Sequence, residues 1–105
     1  MAFLDVNPVA QGHLLIIPKV HCDYIFDLPP ELFVGIFQAA KKLASALKKS
    51  TNCLKVGMSV VGVDIAHAHL HLIPINHSGD LDHSKGRQAK PESLAAMQAK
   101  LKSAL

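Results

Sequence analysis

A change in hydrophobic period in the first half of the chain constrains the fold most strongly. Between residues 30 and 49 apolar side chains recur at helical spacing, and lysines occupy the other positions. Pro29 and Pro30 suit a first helical turn, and Glu31 favours the positive end of the helix dipole. The segment is predicted to be a long amphipathic helix whose apolar face carries Phe33, Ile36, Phe37, Ala40, Leu43, Ala44 and Leu47.

Short aliphatic and β-branched stretches lie on both sides of this helix. Residues 2–6 and 13–18, separated by an Asn-Pro turn signal and Gly12, predict an antiparallel pair of strands. Residues 54–62 and 66–75 predict a third and a fourth strand joined by a short link. Residues 76–90 are polar and aperiodic and predict a loop, and residues 91–105 predict a C-terminal helix. The predicted fold class is α+β, an antiparallel sheet with one long helix and a C-terminal helix.

Length and composition indicate one cytosolic domain. The 105 residues are half apolar, and the net charge of +3 comes from lysines spread along the chain, which is weak evidence for nucleic-acid binding. Cys22 and Cys53 fit no metal-binding or redox spacing and are expected to be free thiols in a reducing, cytoplasmic compartment. No stretch has the length of a membrane span, so neither a membrane nor a nucleic-acid partner is expected.

Three histidines alternate with apolar residues in the predicted fourth strand. On a strand, alternate side chains share a face, so His67, His69 and His71 would form a row with about 7 Å between neighbours. The intervening residues would then face the core; they are Ala68, Leu70 and Leu72.

Three interpretations of this row remain open from the residues alone. The imidazoles could be solvated surface groups, or two of them could bind a metal ion together with His21 or Asp64. They could also divide a reaction at phosphorus, one attacking, one orienting it and one donating to phosphate oxygens or the leaving group. A straight strand spreads the outer rings too far for one small ion, which favours the catalytic interpretation.

Two separate motifs resemble the histidine triad (HIT) family. The stretch HAHLHLI, residues 67–73, is similar to the family's His-x-His-x-His signature followed by apolar residues. The stretch FLDVNPVAQGHLLIIPKVH, residues 3–21, is similar to an earlier block of the family, and the likeness covers residues 2–75. The resemblance implies binding of a nucleoside monophosphate moiety and attack on its α-phosphorus by the middle histidine, with no metal and no cofactor.

The resemblance also implies the roles of the catalytic residues. His69 would be the nucleophile and would form a nucleotidyl-histidine intermediate that water resolves. His67 would help to hold the site, His71 would contact the phosphate and leaving group, and His21 would support the triad from the earlier block.

Nucleotide-binding residues are implied in the same way. Asp5 would accept from the ribose hydroxyls, as a carboxylate can. Ser59 and Asp64 are candidates for the positions beside the phosphate. The base pocket would be lined by Phe3, Leu4 and Val6.

Several of these side chains have a simpler interpretation as well. Asp5 could instead form a turn before Asn7-Pro8, and His21 could be an exposed loop histidine. His13 is expected to have only a structural role, and His77 and His83 are expected to remain in solvent.

The resemblance predicts a single HIT domain over residues 1–105, lacking the additional N-terminal segment that the family usually has. An exposed sheet edge would then invite a partner chain, and by analogy a homodimer is expected. The predicted function is hydrolysis or transfer of purine nucleoside monophosphate derivatives, such as a nucleoside 5'-phosphoramidate. The alternatives are a non-catalytic purine-nucleotide-binding regulatory module and a metal-binding protein.

Overall fold

The computed structural model describes residues 1–61 and 67–105 and has an α+β fold, as predicted. In chain order the elements are β1 (Ala2–Leu4), β2 (Leu14–Ile16), α1 (Pro30–Thr51), β3 (Lys55–Ser59), β4 (Leu70–Ile75) and α2 (Pro91–Ala104). Short 3-10 turns lie at Ile25–Asp27, Ser78–Leu81 and His83–Lys85.

The four strands form one antiparallel sheet in the order β1-β2-β4-β3. Residues that pair directly across an antiparallel ladder share a face, so the register defines two rows on opposite faces. One row consists of Phe3, Leu15, His71 and Ser59, and the next consists of Leu4, Leu14, Leu72 and Met58. We call the face that carries the first row the histidine face.

Both helices contribute to the core on the opposite face. Leu14 and Leu72 lie there in one apolar cluster with α1 and α2 side chains, and Leu47 of α1 is fully buried. The helical members of the cluster are Ile36, Ala40, Ala46, Leu47, Met97 and Leu101. Burial of these side chains is the main force that holds the helices to the sheet.

The long helix is confirmed and extends two residues beyond its predicted end. Pro29 is the N-cap, Pro30 opens the first turn, and Lys48 and Lys49 lie in the last turn near the negative pole. Asn52 ends the helix in the left-handed conformation (φ 54°), which asparagine tolerates better than most residues. The C-terminal helix is also confirmed. Among the described residues, neither helix combines the length and the hydropathy needed to cross a membrane.

The predicted fourth strand is shorter than expected. β4 begins at Leu70, so His67 and His69 precede the strand and the simple alternation of three histidines along it is wrong. β4 begins no earlier because both neighbouring strands stop there. On one side Ile16, the last residue of β2, pairs with Leu70 shortly before Pro18. On the other side Ser59, the last residue of β3, pairs with His71. The backbone N–H of Ala68 donates instead to the carbonyl of Cys22 at 2.6 Å. The other three strands are also shorter than predicted and cover residues 2–4, 14–16 and 55–59.

Residues 76–90 contain more order than the predicted loop. We call residues 76–89 the strap, because they include two 3-10 turns and lie against the histidine face. Leu81 of the strap packs on Gly57 of β3 so closely that a Cβ at that glycine would lie 2.9 Å from a Leu81 methyl carbon. The predicted link between β3 and β4 falls on residues outside the described ranges.

Candidate functional site

His71 lies at the centre of a group of imidazole rings on the histidine face. It is in β4 between Leu15 and Ser59, and only 8% of its surface is exposed. Its ring centroid lies 4.5 Å from that of His83, 4.8 Å from that of His69 and 5.1 Å from that of His13. The site is therefore built from three parts of the chain that are distant in sequence.

His13 determines the proton position on His71. The backbone N–H of Val9 donates to His13 Nδ1 (3.1 Å), so that nitrogen carries a lone pair and the ring proton is on Nε2. His13 Nε2 lies 2.9 Å from His71 Nδ1 and must donate to it. Neutral His71 therefore keeps its own proton on Nε2, as a donor toward the site.

Only a structural role was predicted for His13, yet it is 1% exposed and in hydrogen-bond contact with the triad. The signal that could have found it is the pairing of β2 with β4, in which Leu14 lies opposite Leu72. A histidine one residue before Leu14 then falls on the same face as His71 and diagonal to it.

His69 has the opposite tautomer from His71. Its Nδ1 lies 2.8 Å from the carbonyl oxygen of His67, and because a carbonyl only accepts, Nδ1 carries the proton. In the neutral ring the lone pair is therefore on Nε2. His69 is 8% exposed, so this lone pair lies in a nearly dry environment, and an unprotonated imidazole nitrogen of this kind can act as a nucleophile.

His67 and His21 lie together at the edge of the site. The Nε2–H of half-buried His67 donates to the carbonyl oxygen of Pro18 at 3.3 Å. The ring of exposed His21 meets that of His67 edge to face, 5.6 Å between centroids. His21 thus reaches the triad through His67, beside the Cys22 carbonyl that holds Ala68.

Burial keeps the two central rings neutral. The pKa of His71 is lowered to about 4, first by burial and then by the neighbouring His83, His13 and His69. The pKa of His13 is also lowered, again chiefly by burial, with Asp5 opposing the shift and His83 adding to it. At neutral pH the hydrogen bond between His13 and His71 therefore joins two uncharged rings.

Asp5 forms the turn that its simpler interpretation predicted and also faces His13. Its Oδ1 accepts from the backbone N–H of Asn7 (2.8 Å), while Oδ2 lies 3.6 Å from His13 Nε2. Among the described residues, Asp5, His13 and His71 offer ligand atoms within 4.8 Å of one another, a set that could hold a divalent ion. An ion there would have to replace the hydrogen bond that already joins the two rings.

The strap brings the ring of His83 against that of His71, although His83 itself stays exposed to solvent as predicted. His83 Nε2 lies 3.0 Å from Ser59 Oγ, and Ser59 is the residue directly opposite His71 in the ladder. His77 also stays at the surface as predicted, since it is 70% exposed, and it pairs with Asp80. The candidate Asp64 lies outside the described residues.

The predicted base-pocket residues are divided between the two faces. Phe3 lies on the histidine face, 43% exposed, in the same row as His71. Leu4 points to the opposite face and packs against the core cluster. Val6 follows β1, 59% exposed, and its carbonyl accepts from Ala89 of the strap. Leu15 lies between Phe3 and His71 in the same row and was not among the predicted base-pocket residues.

A cavity of about 370 Å³ opens beside these residues. Asp5 and His13 line it together with the β1–β2 turn and the start of α2, including Ser93 and Met97. His69 and His71 are not among its lining residues, so the cavity adjoins the histidine group and does not contain it.

Comparison with known proteins identifies the family. A family model described as HIT domain matches residues 1–78. The chain is 43% identical over 74 residues to the adenosine 5'-monophosphoramidase HNT1 of Saccharomyces cerevisiae. This alignment covers 70% of this chain and 47% of that protein. It is 33% identical over 79 residues to the adenylylsulfatase HINT3 of Arabidopsis thaliana, 70% of this chain and 40% of that protein. The chain thus spans less than half the length of these two relatives.

Solved structures agree with the fold. A crystal structure of a HIT-like protein involved in cell-cycle regulation from Bartonella henselae superimposes with a TM-score of 0.84 at 26% identity, covering 99% of this chain and 78% of that one. The 78 matched residues of the family model contain all four strands and both histidine motifs. The resemblance seen in the sequence is confirmed, and the chain belongs to the HIT domain family.

Proposed function

We propose that this protein hydrolyses nucleoside 5'-phosphoramidates, with His69 as the nucleophile. The observation that carries the proposal is the hydrogen bond from His69 Nδ1 to the His67 carbonyl, which leaves a lone pair on Nε2. An imidazole with this tautomer attacks phosphorus without first losing a proton.

The reaction has two balanced steps. In the first, His69 Nε2 bonds to the α-phosphorus, the P–N bond of the phosphoramidate breaks, and the amine leaves with a proton from water. In the second, a water oxygen bonds to the same phosphorus, the bond to His69 breaks, and the proton that this water releases replaces the one taken up by the amine. A nucleoside monophosphate and a free imidazole remain. The proton kept on Nδ1 makes the intermediate a cationic imidazole, which is a good leaving group, and the His67 carbonyl stabilises that charge.

His71 acts in this scheme as a neutral donor. Its Nδ1 accepts from His13, so its Nε2–H is directed away from His13 and is available to a phosphate oxygen or the leaving group. Because the pKa of His71 is about 4, the ring keeps this arrangement at neutral pH. His67 and His21 hold the chain segment before β4, and Ser59 supplies a hydroxyl opposite His71.

The nucleoside would bind toward the β1 edge of the histidine face. Phe3 and Leu15 offer an apolar surface for a purine base in the same row as His71. Asp5 retains Oδ2 for a ribose hydroxyl, since only Oδ1 is used by the turn. Two relatives described above, an adenosine 5'-monophosphoramidase and an adenylylsulfatase, support an adenosine 5'-phosphoryl substrate.

The test is incubation with adenosine 5'-phosphoramidate in EDTA, followed by measurement of AMP release and of the intact protein mass at early times. We expect AMP and a transient adenylyl adduct in the wild type and neither in His69→Ala. Neither a metal nor a cofactor is required by an imidazole nucleophile, so EDTA should not reduce the rate. Nucleotide binding without turnover would replace the proposal with a non-catalytic module, and loss of activity in EDTA with recovery in zinc would replace it with a metal site.

We also propose that the chain forms a homodimer. β3 is an edge strand of the sheet, and Leu54 and Met58 at that edge are 64% and 50% exposed. Val34 of α1 is 51% exposed as well. Light scattering after gel filtration should give twice the monomer mass, and Met58→Lys should shift it to the monomer.

A cytoplasmic location is part of the same proposal. Cys22 is half-buried and Cys53 buried, and both are free thiols. Such thiols suit a reducing compartment. Cell fractionation of the tagged protein tests this, and recovery from an extracellular or membrane fraction would contradict it.

A further inference from the structure

The strap is held at both ends across the histidine face. At its start, Asp80 Oδ2 accepts from the backbone N–H groups of Asn76 and His77, and Asn76 Oδ1 accepts from that of Leu54. At its end, the N–H groups of Arg87 and Ala89 donate to the carbonyls of Pro8 and Val6 beyond β1. The strap therefore spans from the β3 side of the sheet to the β1–β2 turn.

The turn that carries His83 is formed by its own side chains. Asp82 Oδ1 accepts from both the backbone N–H and the hydroxyl of Ser84, at 3.0 and 2.6 Å. The N–H of Gly86 donates to the His83 carbonyl. A Cβ at Gly86 would lie 2.7 Å from the Asn7 carbonyl oxygen, so a glycine permits the close approach of the strap to the β1–β2 turn. These bonds place His83 by a defined turn.

We propose that His83 is a positioning residue of the site, holding the Ser59 hydroxyl through its Nε2 and the His71 ring by edge-to-face contact. The supporting distances are 3.0 Å from Nε2 to Ser59 Oγ and 4.5 Å between the His71 and His83 ring centroids. The inference rests on the proposed function, because it assigns His83 to the two groups that would meet the phosphate.

The effect of His83 on the site depends on which group donates in its hydrogen bond with Ser59. A hydroxyl has one proton and two lone pairs. When His83 Nε2–H donates to Ser59 Oγ, the Ser59 proton remains free for a phosphate oxygen. The same ring lies edge to face against His71, and this neighbour also lowers the pKa of His71, which favours the neutral state in which Nε2–H is a donor. His83 would therefore align two donors toward one anion, an effect felt mainly in the transition state.

The test compares steady-state kinetics on adenosine 5'-phosphoramidate in a set of variants. We expect His83→Ala to lower kcat about fivefold to tenfold, the effect of one lost hydrogen bond, with KM within about twofold of wild type. His83→Gln should keep at least half of the wild-type kcat, because its side-chain amide can donate to Ser59. Ser59→Ala should lose about as much as His83→Ala, and the double variant should lose clearly less than the product of the two single losses, because the two residues act in large part through the same hydroxyl.

His77→Gln is the matched control, since it lies in the same strap, is 70% exposed and touches none of the triad rings. It should retain the wild-type kcat. The proposal is overturned if His83→Ala keeps the wild-type kcat, if the losses in Ser59→Ala and His83→Ala multiply, or if His83→Gln is as impaired as His83→Ala.

A second readout separates this proposal from the proposed function. Nitrogen-15 NMR of the histidine rings reports their tautomers without any turnover. His83→Ala should shift the ring signals of His71, whereas His77→Gln should leave them in place. If the wild type releases no AMP, the proposed function fails; unchanged His71 signals in His83→Ala would overturn the positioning role independently.

Discussion

His13 Nε2 lies 2.9 Å from His71 Nδ1, and this bond joins two buried rings separated by 58 residues of chain. Because the Val9 N–H occupies the other nitrogen of His13, the bond has one direction only, from His13 to His71. The consequence is a neutral His71 with its proton on Nε2, the tautomer that the proposed chemistry uses.

The first prediction concerns this bond. His13→Ala would leave His71 Nδ1 and the Val9 N–H without their partner and open a cavity, so the free energy of unfolding should fall by about 1–3 kcal/mol. His13→Asn should lose less, because its side-chain oxygen can still accept from Val9. Urea denaturation measures both, with His77→Gln expected within about 0.5 kcal/mol of wild type. Equal stability of His13→Ala and wild type would contradict the role of the bond.

The second prediction concerns pH. The pKa of His71 is about 4 in the folded chain and ordinarily 6.5, so between these values the unfolded chain binds a proton that the folded chain does not. Stability should therefore rise with pH from about 4 to 6.5, with a slope approaching about 1.4 kcal/mol per pH unit for one proton. His13, whose pKa is also lowered, should add in the same direction.

Urea denaturation at several pH values between 4 and 7 checks this dependence. In His71→Asn the slope should be clearly smaller. The pKa of Asp80 is lowered chiefly by hydrogen bonds from the backbone N–H groups of Asn76 and His77, and that of Asp82 chiefly by hydrogen bonds from Ser84, so these carboxyls change stability in the same direction at the acidic end of this range. Stability that is independent of pH over this range would show that the folded chain binds protons as readily as the unfolded chain, which contradicts the lowered pKa values of His71 and His13.

The third prediction separates the two roles of Asp5. Asn at this position keeps the oxygen that accepts from the Asn7 N–H, so Asp5→Asn should fold with wild-type stability. It loses the charged acceptor, and we expect KM for adenosine 5'-phosphoramidate to rise about tenfold. The same variant should not change KM for a 2',3'-dideoxy substrate, which has no ribose hydroxyl. An unchanged KM for the ribose substrate would contradict the ribose-binding role of Asp5 and leave only its role in the turn.

The fourth prediction tests the contact between Leu81 of the strap and Gly57 of β3. The added Cβ in Gly57→Ala would lie 2.9 Å from a methyl carbon of Leu81, so Leu81 must move away from the sheet. We expect a stability loss of about 1 kcal/mol and a lower kcat, because Leu81 lies two residues before His83. Replacing Leu81 with Ala in the same protein should restore part of both. Additive losses in the double variant would mean that the contact does not position the strap.

Much of the fold was readable from local patterns. The 3.6-residue period of residues 30–49 and of the C-terminal segment depends only on which side chains are apolar, and the helices lie where that period predicts. The strands were found but extended too far, because their ends depend on where a partner strand stops. Pro18 ends the ladder of β2, and this shortens β4 some fifty residues later.

By itself, the sequence determined the α+β class, the helices, and the two histidine motifs that place the chain in its family. The tertiary structure decided which histidines meet: His13 joins His71 through the pairing of β2 with β4, and His83 joins Ser59 through the course of the strap. The physical reason is the sequence separation over which each property is determined. Hydrophobic period is a property of neighbours along the chain, whereas a ring's tautomer depends on donors and acceptors that only folding brings within 3 Å.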